Sequence, residues 1–389
     1  MKDNLQSQTI ENLRFPLLIA VLMCHSYNVT LSGVTLDTDS TFGGSFVRCL
    51  FNICNYTMPN IVVPSYFFIS GFLFFLNFGD PQSPKQWKWN IYWGKLRTRF
   101  YTLFIPYVIW NLIPLVLGVL GVIIITIEND QDVLISTREF MQGKGLRIFW
   151  DFYREDDTKN YLGMMMPGNT APYNYPLYYI RDLIGISILA PIVYIFDKKA
   201  KWWGITILVC CSVMGLIPNY PGLRSSSIVY FTLGACLSIW NLDFHRVSLL
   251  VLPWSGLLSL VFLVAALFYP IQNQYAGFIK GLFVLSGVFA LFGIIAWLTE
   301  KCKLNISKWL IGSSFFVFAA HEGLFVMNGV KVLLKSIIPQ SSGWFLFAEY
   351  WLNIFLTLSC CVAIYLIIDK WVPSLSILTG KVRRPQRGH

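Results

Sequence analysis

The stretch ENLRFPLLIAVLMCHSYN, residues 11–28, sets ionisable groups inside an apolar run that carries a helix most of the way across a bilayer. Arg14 and His25 stand 11 residues apart, about 20° beyond three full helical turns and roughly 16 Å along the axis. They therefore share one face. Glu11, three residues before Arg14, joins that face, so the spacing permits an ion pair between them. Pro16 works against this geometry, because a kink would rotate the first turn. Charge held at bilayer depth is costly, so such groups are functional candidates from the outset.

The rest of the chain continues the pattern. Of 389 residues 55% are hydrophobic, 16% aromatic and only 13% charged, and the mean hydropathy is +0.57. Soluble globular proteins carry about 25% charged residues, so that class is excluded. Apolar runs recur from Leu13 to Ile368 with no polar half, which predicts one membrane-embedded unit over 1–389. Ten spans are expected: Ile10 to Leu31, Ile61 to Phe78, Tyr101 to Ile127, Leu177 to Ile195, Trp202 to Ile217, Ile228 to Trp240, Leu249 to Phe268, Phe278 to Leu298, Trp309 to Leu334 and Trp344 to Ile368. The fold class is all-α, a polytopic integral membrane protein. Phe46 to Met58, with Arg48, Asn52 and Asn55, suits an interfacial or re-entrant piece. The polar start MKDNLQSQTIENLR lacks a basic region and cleavage site, so the first span reads as uncleaved.

Thirty Lys and Arg against twenty Asp and Glu give a net charge of +10. No basic run is long and no recognition motif appears, which argues against nucleic acid. The basic residues instead gather on alternate connections, including Lys85 to Arg99, Lys198 to Lys201, Lys301 to Lys308 and the tail 370–389, whereas the short connections between them hold only Arg48, Arg224 and Lys335. The positive-inside rule then places both termini in the cytoplasm and the long segment 128–175 outside. That segment suits an acceptor-binding element or lid as well as a passive connector. The expected location is the cytoplasmic (inner) membrane, multi-pass, in a bacterium.

Most of the nine cysteines lie in apolar segments without zinc-type spacing, so no metal is expected. Cys49 and Cys54 share one loop, where a disulfide and two thiols are both open readings.

Within the spans, the fourth carries Arg181 and Asp182 and the ninth carries His321 and Glu322. Together with the first span they bring His25, Arg181 and His321 to a similar depth in the outer half of the bilayer. A neutral imidazole takes a proton from an attacking hydroxyl, and a nearby cation steadies an oxyanion. The plainer readings are satisfied structural histidines, a buried Arg181–Asp182 pair, and an Arg14 that snorkels to phosphate headgroups. Lys280, Lys331, Glu349 and Asp369 read as edge anchors, and His245 and His389 receive no role. Lys95, Arg97 and Arg99, at the foot of the third span, read either as topogenic charge or as a phosphate clamp.

These motifs, in this order, resemble the acyltransferase-3 family of polytopic membrane acyltransferases over essentially the whole chain. The likeness rests on Arg14 and His25 in ENLRFPLLIAVLMCHSYN, on Ser70 and Gly71 in YFFISGFLFF, and on KLRTRFYTLFIPY, PLYYIRDL and SSFFVFAAHEGLF. Arg97 and Arg99 are more loosely spaced than in many members, and the chain carries no C-terminal hydrolase-like domain of the kind many relatives have. The resemblance implies O-acetylation of a cell-envelope polysaccharide: transfer of an acyl group, usually acetyl, from cytosolic acetyl-CoA to a hydroxyl of an extracytoplasmic glycan. In that frame His25 is the general base or acyl-accepting residue, and Arg181 and His321 orient the acceptor or stabilise the oxyanion. Arg14, Arg97 and Arg99 hold the CoA phosphates, and Ser70 with Gly71 permits close approach. The alternatives are a secondary transporter or flippase of a glycan or lipid-linked sugar, and a non-enzymatic partner of a glycan-export machine.

Overall fold

The computed structural model describes residues 2–26, 53–54, 58–76, 78, 86–160, 162–268, 276–339 and 343–380. Helix α1 (Lys2–Ser26) runs unbroken through Pro16. Its neighbours are α2 (Val62–Phe75), α3 (Trp89–Arg99) and α4 (Ile105–Glu128). A π-helical turn over Phe100–Phe104 joins α3 to α4 into one 40-residue rod, Trp89–Glu128. After α5 (Val133–Met141) come α6 (Tyr178–Ile188), α7 (Ala190–Val213) and α8 (Ser225–Ile239). The remaining helices are α9 (Phe244–Phe268), α10 (Ala276–Lys301), α11 (Lys308–Gly323), α12 (Val326–Ile337) and α13 (Gly343–Trp371).

Among the described residues four helices are long and apolar enough to cross a membrane, or six if each of two bent pairs counts as one span. Two shorter apolar helices, α2 and α8, accompany them. Two of the expected spans are bent. The fourth expected span turns by 64° between α6 and α7, and the ninth by 62° between α11 and α12. At the second bend Phe325 takes a left-handed conformation (φ 54°), and α11 stops just after His321 and Glu322. Most of the expected interfacial piece Phe46 to Met58, and with it Cys49 of the Cys49–Cys54 pair, lies outside the described residues.

Aromatic residues dominate the core. Phe67, Phe68, Phe72, Phe74, Phe75, Phe78, Phe231, Phe244 and Phe292 are fully buried. Helices α2 and α8 pack backbone against backbone, because a Cβ on Gly71 would collide with the Phe231 carbonyl and one on Gly234 with that of Phe68. The small side of ISG in α2 thus does the packing expected of Gly71. Without a hydrophobic drive between helices in lipid, such close approach supplies van der Waals cohesion.

The segment 129–177 is well formed. Asp132 caps α5 through the amides of Leu134 and Ile135. Farther on, β1 (Tyr153–Arg154) pairs antiparallel with β4 (Thr170–Ala171), and β2 (Thr158–Lys159) with β3 (Met165–Met166). These short pairings are small additions to an otherwise helical fold. Beyond α13, a 3₁₀ helix over Pro373–Thr379 turns back into the bundle, where the Trp110 indole N–H donates to the Leu378 carbonyl (3.0 Å).

His245, expected in a loop, instead lies buried near the start of α9. It sits between the Thr9 hydroxyl (Nδ1, 2.8 Å) and the Glu300 carboxylate (Nε2, 3.2 Å). It ties α1, α9 and α10 together at the end opposite His25.

Candidate active site

His25 is in the last turn of α1, and His321 is fully buried near the end of α11. Their ring centroids lie 5.1 Å apart at 53°. Glu322 completes a trio whose imidazole nitrogens and carboxylate oxygen all fall within 4.8 Å of one another. The Nδ1 of His321 faces the Val317 carbonyl at 3.1 Å. A carbonyl only accepts, so we assign the ring proton to Nδ1, which leaves Nε2 as an acceptor. That Nε2 is buried and, among the described residues, has no hydrogen-bond partner. A buried unpartnered acceptor calls for an explanation, and a substrate hydroxyl is the simplest one.

The end of α1 is firmly held. The Lys331 ammonium donates to the His25 carbonyl (2.7 Å), supplying positive charge where the helix dipole is negative. The Ser26 hydroxyl donates to the Tyr350 carbonyl (3.1 Å) and accepts from the Asn353 amide (2.9 Å). Lys331, expected as an edge anchor, thus caps the helix that carries His25.

Two histidines and a carboxylate could also hold a metal ion. The Lys331 charge interacts with His25, His321 and Glu322 alike, which opposes a second cation there.

On the other side of His321 lies a cavity of about 720 Å³, within the range of small-molecule sites. Arg14, Ser70 and Arg99 line it together with Tyr66, Thr98, Tyr179, Phe318 and the returning Thr379 and Gly380. Arg99 donates to the Ser187 hydroxyl and to the Ser70 carbonyl (3.3 Å), and its guanidinium lies 4.7 Å from the centre of the Phe74 ring. The π-helical turn begins at the next residue, and such turns often mark functional sites. Ser70 Oγ hydrogen-bonds the Tyr179 hydroxyl at 3.3 Å. Arg97, grouped with Arg99 by sequence, is exposed and does not line the cavity. Glu11 and Arg14 form no ion pair; both are exposed, and Arg14 turns to the cavity.

The cavity closes on aromatic rings. Tyr179 meets Phe318 at 6.0 Å, and Phe318 meets His321 at 6.4 Å. A single ring layer therefore separates the arginine-lined space from the histidines.

Of the two readings open for Arg181, the structure holds the buried pair with Asp182. Its guanidinium bonds Asp182 (2.8 Å), the Thr170 hydroxyl and carbonyl (3.1 Å each) and the Trp150 carbonyl. Arg224 joins at 3.4 Å from Asp182 and donates to the Thr170 carbonyl. The donors of Arg181 are thus spent on Asp182 and on the 150–170 backbone, not on the histidines. This buried cluster clamps the segment 129–177 to the bundle. Asn174 adds a second anchor, its amide N–H donating to Asn111 Oδ1 (3.0 Å) and its side chain to the Trp110 carbonyl (2.9 Å).

The anchored segment brings Tyr175 to His25, ring centroids 6.2 Å apart at 74°, and Tyr153 to Tyr175 at 6.0 Å. The Tyr153 phenol is held above its usual pKa, first by partial burial and then by the negative charge of Glu322. Tyr153, Tyr175 and Lys331 were not singled out as site residues by sequence, since each arrives through long-range packing, and neither was Phe318, one helical turn before His321. Only the SSFFVFAAHEGLF run hinted at Phe318.

Residues 8–366 match a family model described as an acyltransferase domain. The chain is also 22% identical over 295 residues, 74% of its own length and 72% of the relative's, to the succinoglycan biosynthesis protein ExoH of Rhizobium meliloti (strain 1021). No solved structure matches it. The family model covers the helical bundle almost end to end, and this chain belongs to the acyltransferase-3 family of membrane acyltransferases.

Proposed function

We propose that the protein transfers an acyl group, acetyl by preference, from cytosolic acyl-CoA to a hydroxyl of an extracytoplasmic cell-surface glycan. One observation carries this reading: the cavity bearing Arg14 and Arg99 ends a single ring layer away from His25 and His321. The roughly 16 Å between Arg14 and His25 along α1 is comparable to an extended pantetheine arm. Arg14 and Arg99 bind the donor's phosphates, with Arg97 on the exposed approach, and Ser70 and Tyr179 border the path of the thioester. The donor side is then cytoplasmic and the segment 129–177 extracytoplasmic, in keeping with the alternation of basic connections.

In the reaction His25 takes the proton of the acceptor hydroxyl as its oxygen attacks the thioester carbonyl. The carbon–sulfur bond breaks as the tetrahedral intermediate collapses, and the departing thiolate takes up a proton. His321 orients the acceptor by accepting a hydrogen bond at Nε2. Arg181 acts at one remove, as a positioning residue that holds the outer segment. No metal is required, since two imidazoles suffice for the proton transfer.

In liposomes, the purified protein should release CoA from acetyl-CoA only when glycan acceptor is supplied, and His25→Ala should abolish the release at unchanged membrane abundance. The bent helices also suit a transporter. Movement of glycan across the liposome membrane without CoA release would favour that reading and overturn ours.

A further inference from the structure

The rings of Tyr175 and Tyr153 remain 39% and 45% exposed, although both are rigidly positioned beside the histidine site. Tyr153 is fixed by its pairing with Ala171, and Tyr175 follows directly on the doubly anchored Asn174. Phe152 backs Tyr153 edge-on at 4.9 Å and meets Tyr173 at the same distance, which holds the exposed ring in place. Exposed aromatic surface held in place by buried ion pairs and hydrogen bonds marks a surface meant to be covered. The covering group must reach His25, because Tyr175 touches that ring edge-on.

Polar groups at the same place narrow its chemistry. Glu322 offers carboxylate oxygens beside both histidines, and the Asn328 amide donates to it at 3.4 Å. An apolar ring face next to hydrogen-bond acceptors matches a pyranose, which presents C–H groups on one face and hydroxyls around its edge. A hydrocarbon chain would leave the buried His321 Nε2 without a partner among the described residues, which is costly. Tyrosines serving only as a membrane-interface belt would have no reason to contact His25.

We propose that Tyr175 and Tyr153 form the acceptor subsite, stacking one sugar ring so that its hydroxyl points at His25 and His321, with Glu322 accepting from a neighbouring hydroxyl. The inference rests on the acyl-transfer reading and names the residues that select its acceptor.

The test uses full-length protein in liposomes with acetyl-CoA and fluorescently labelled oligosaccharides hydrolysed from the producing cell's own surface polysaccharide. Tyr175→Ala should raise the oligosaccharide KM about tenfold and Tyr153→Ala about threefold, as expected for the loss of one ring contact each. Affinity for acetyl-CoA should not change. Tyr175→Phe should keep the wild-type KM, because the ring and not the hydroxyl makes the contact, and it also guards against misfolding of the alanine variant. An unchanged oligosaccharide KM in Tyr175→Ala, or a fall in kcat at constant KM, would overturn the subsite. Equilibrium dialysis of the labelled oligosaccharide without donor separates the two claims. If wild-type protein releases no CoA yet binds the sugar, and Tyr175→Ala does not, acyl transfer fails while the subsite stands.

Discussion

Arg99 and Arg181 both sit among helices, yet their surroundings are opposite. Arg181 is 1% exposed and lies 2.8 Å from Asp182, with its other donors on backbone and hydroxyl oxygens of the outer segment. Arg99 has neutral partners, a serine hydroxyl, a carbonyl and aromatic rings, and among the described residues it makes no ion pair with a carboxylate. One charge is cancelled and structural. The other is uncompensated and faces a cavity, as an anion site requires. Charge at bilayer depth therefore marks a candidate, but the identity of its partners decides whether the candidate binds a ligand or holds the fold.

The sharpest way to break this contrast is Arg181→Met. Leaving Asp182 buried without its closest partner should cost about 3–5 kcal/mol, read as loss of folded, monodisperse protein on detergent size exclusion. A normal yield with lost activity would instead make Arg181 a group that touches substrate. Next comes Arg99→Gln, expected to weaken acetyl-CoA binding about tenfold or more, in line with the loss of a charge-assisted hydrogen bond, while melting temperature holds. Unchanged donor affinity would return Arg99 to a structural role. Arg97→Gln should shift donor affinity by no more than about twofold, since an exposed charge is screened by water and salt; an effect as large as that of Arg99→Gln would mean that the cavity extends over α3. Finally, dialysis against a chelator should leave acyl transfer unchanged. Activity lost to the chelator and restored by zinc would turn the His25, His321 and Glu322 trio into a metal centre.

Part of the arginine-lined cavity was legible in the sequence. Arg14 and His25 share one helix, so helical geometry alone fixes their spacing, whereas Ser70 and Gly71 meet Tyr179 and Phe231 from α6 and α8. The His321 site was legible in part, because depth along a span can be counted. The Arg181–Asp182 pair was one of the readings open, but the bonds of Arg181 to Trp150 and Thr170 were not legible, since those groups come from a loop whose path no periodicity reveals. Nor was the Lys331 cap on α1, which joins residues 306 positions apart.

By itself the sequence determined that this is a helical membrane protein, which residues carry charge into the bilayer, and which family chemistry they suit. Local hydrogen bonding in lipid forces apolar runs into helices, so composition is enough for that much. Tertiary structure decided the rest: that α11 breaks just beyond His321, that residues 373–380 return to line the cavity, and that Tyr175 meets His25. Those outcomes depend on contacts between distant segments, where packing and buried hydrogen bonds outweigh any local preference.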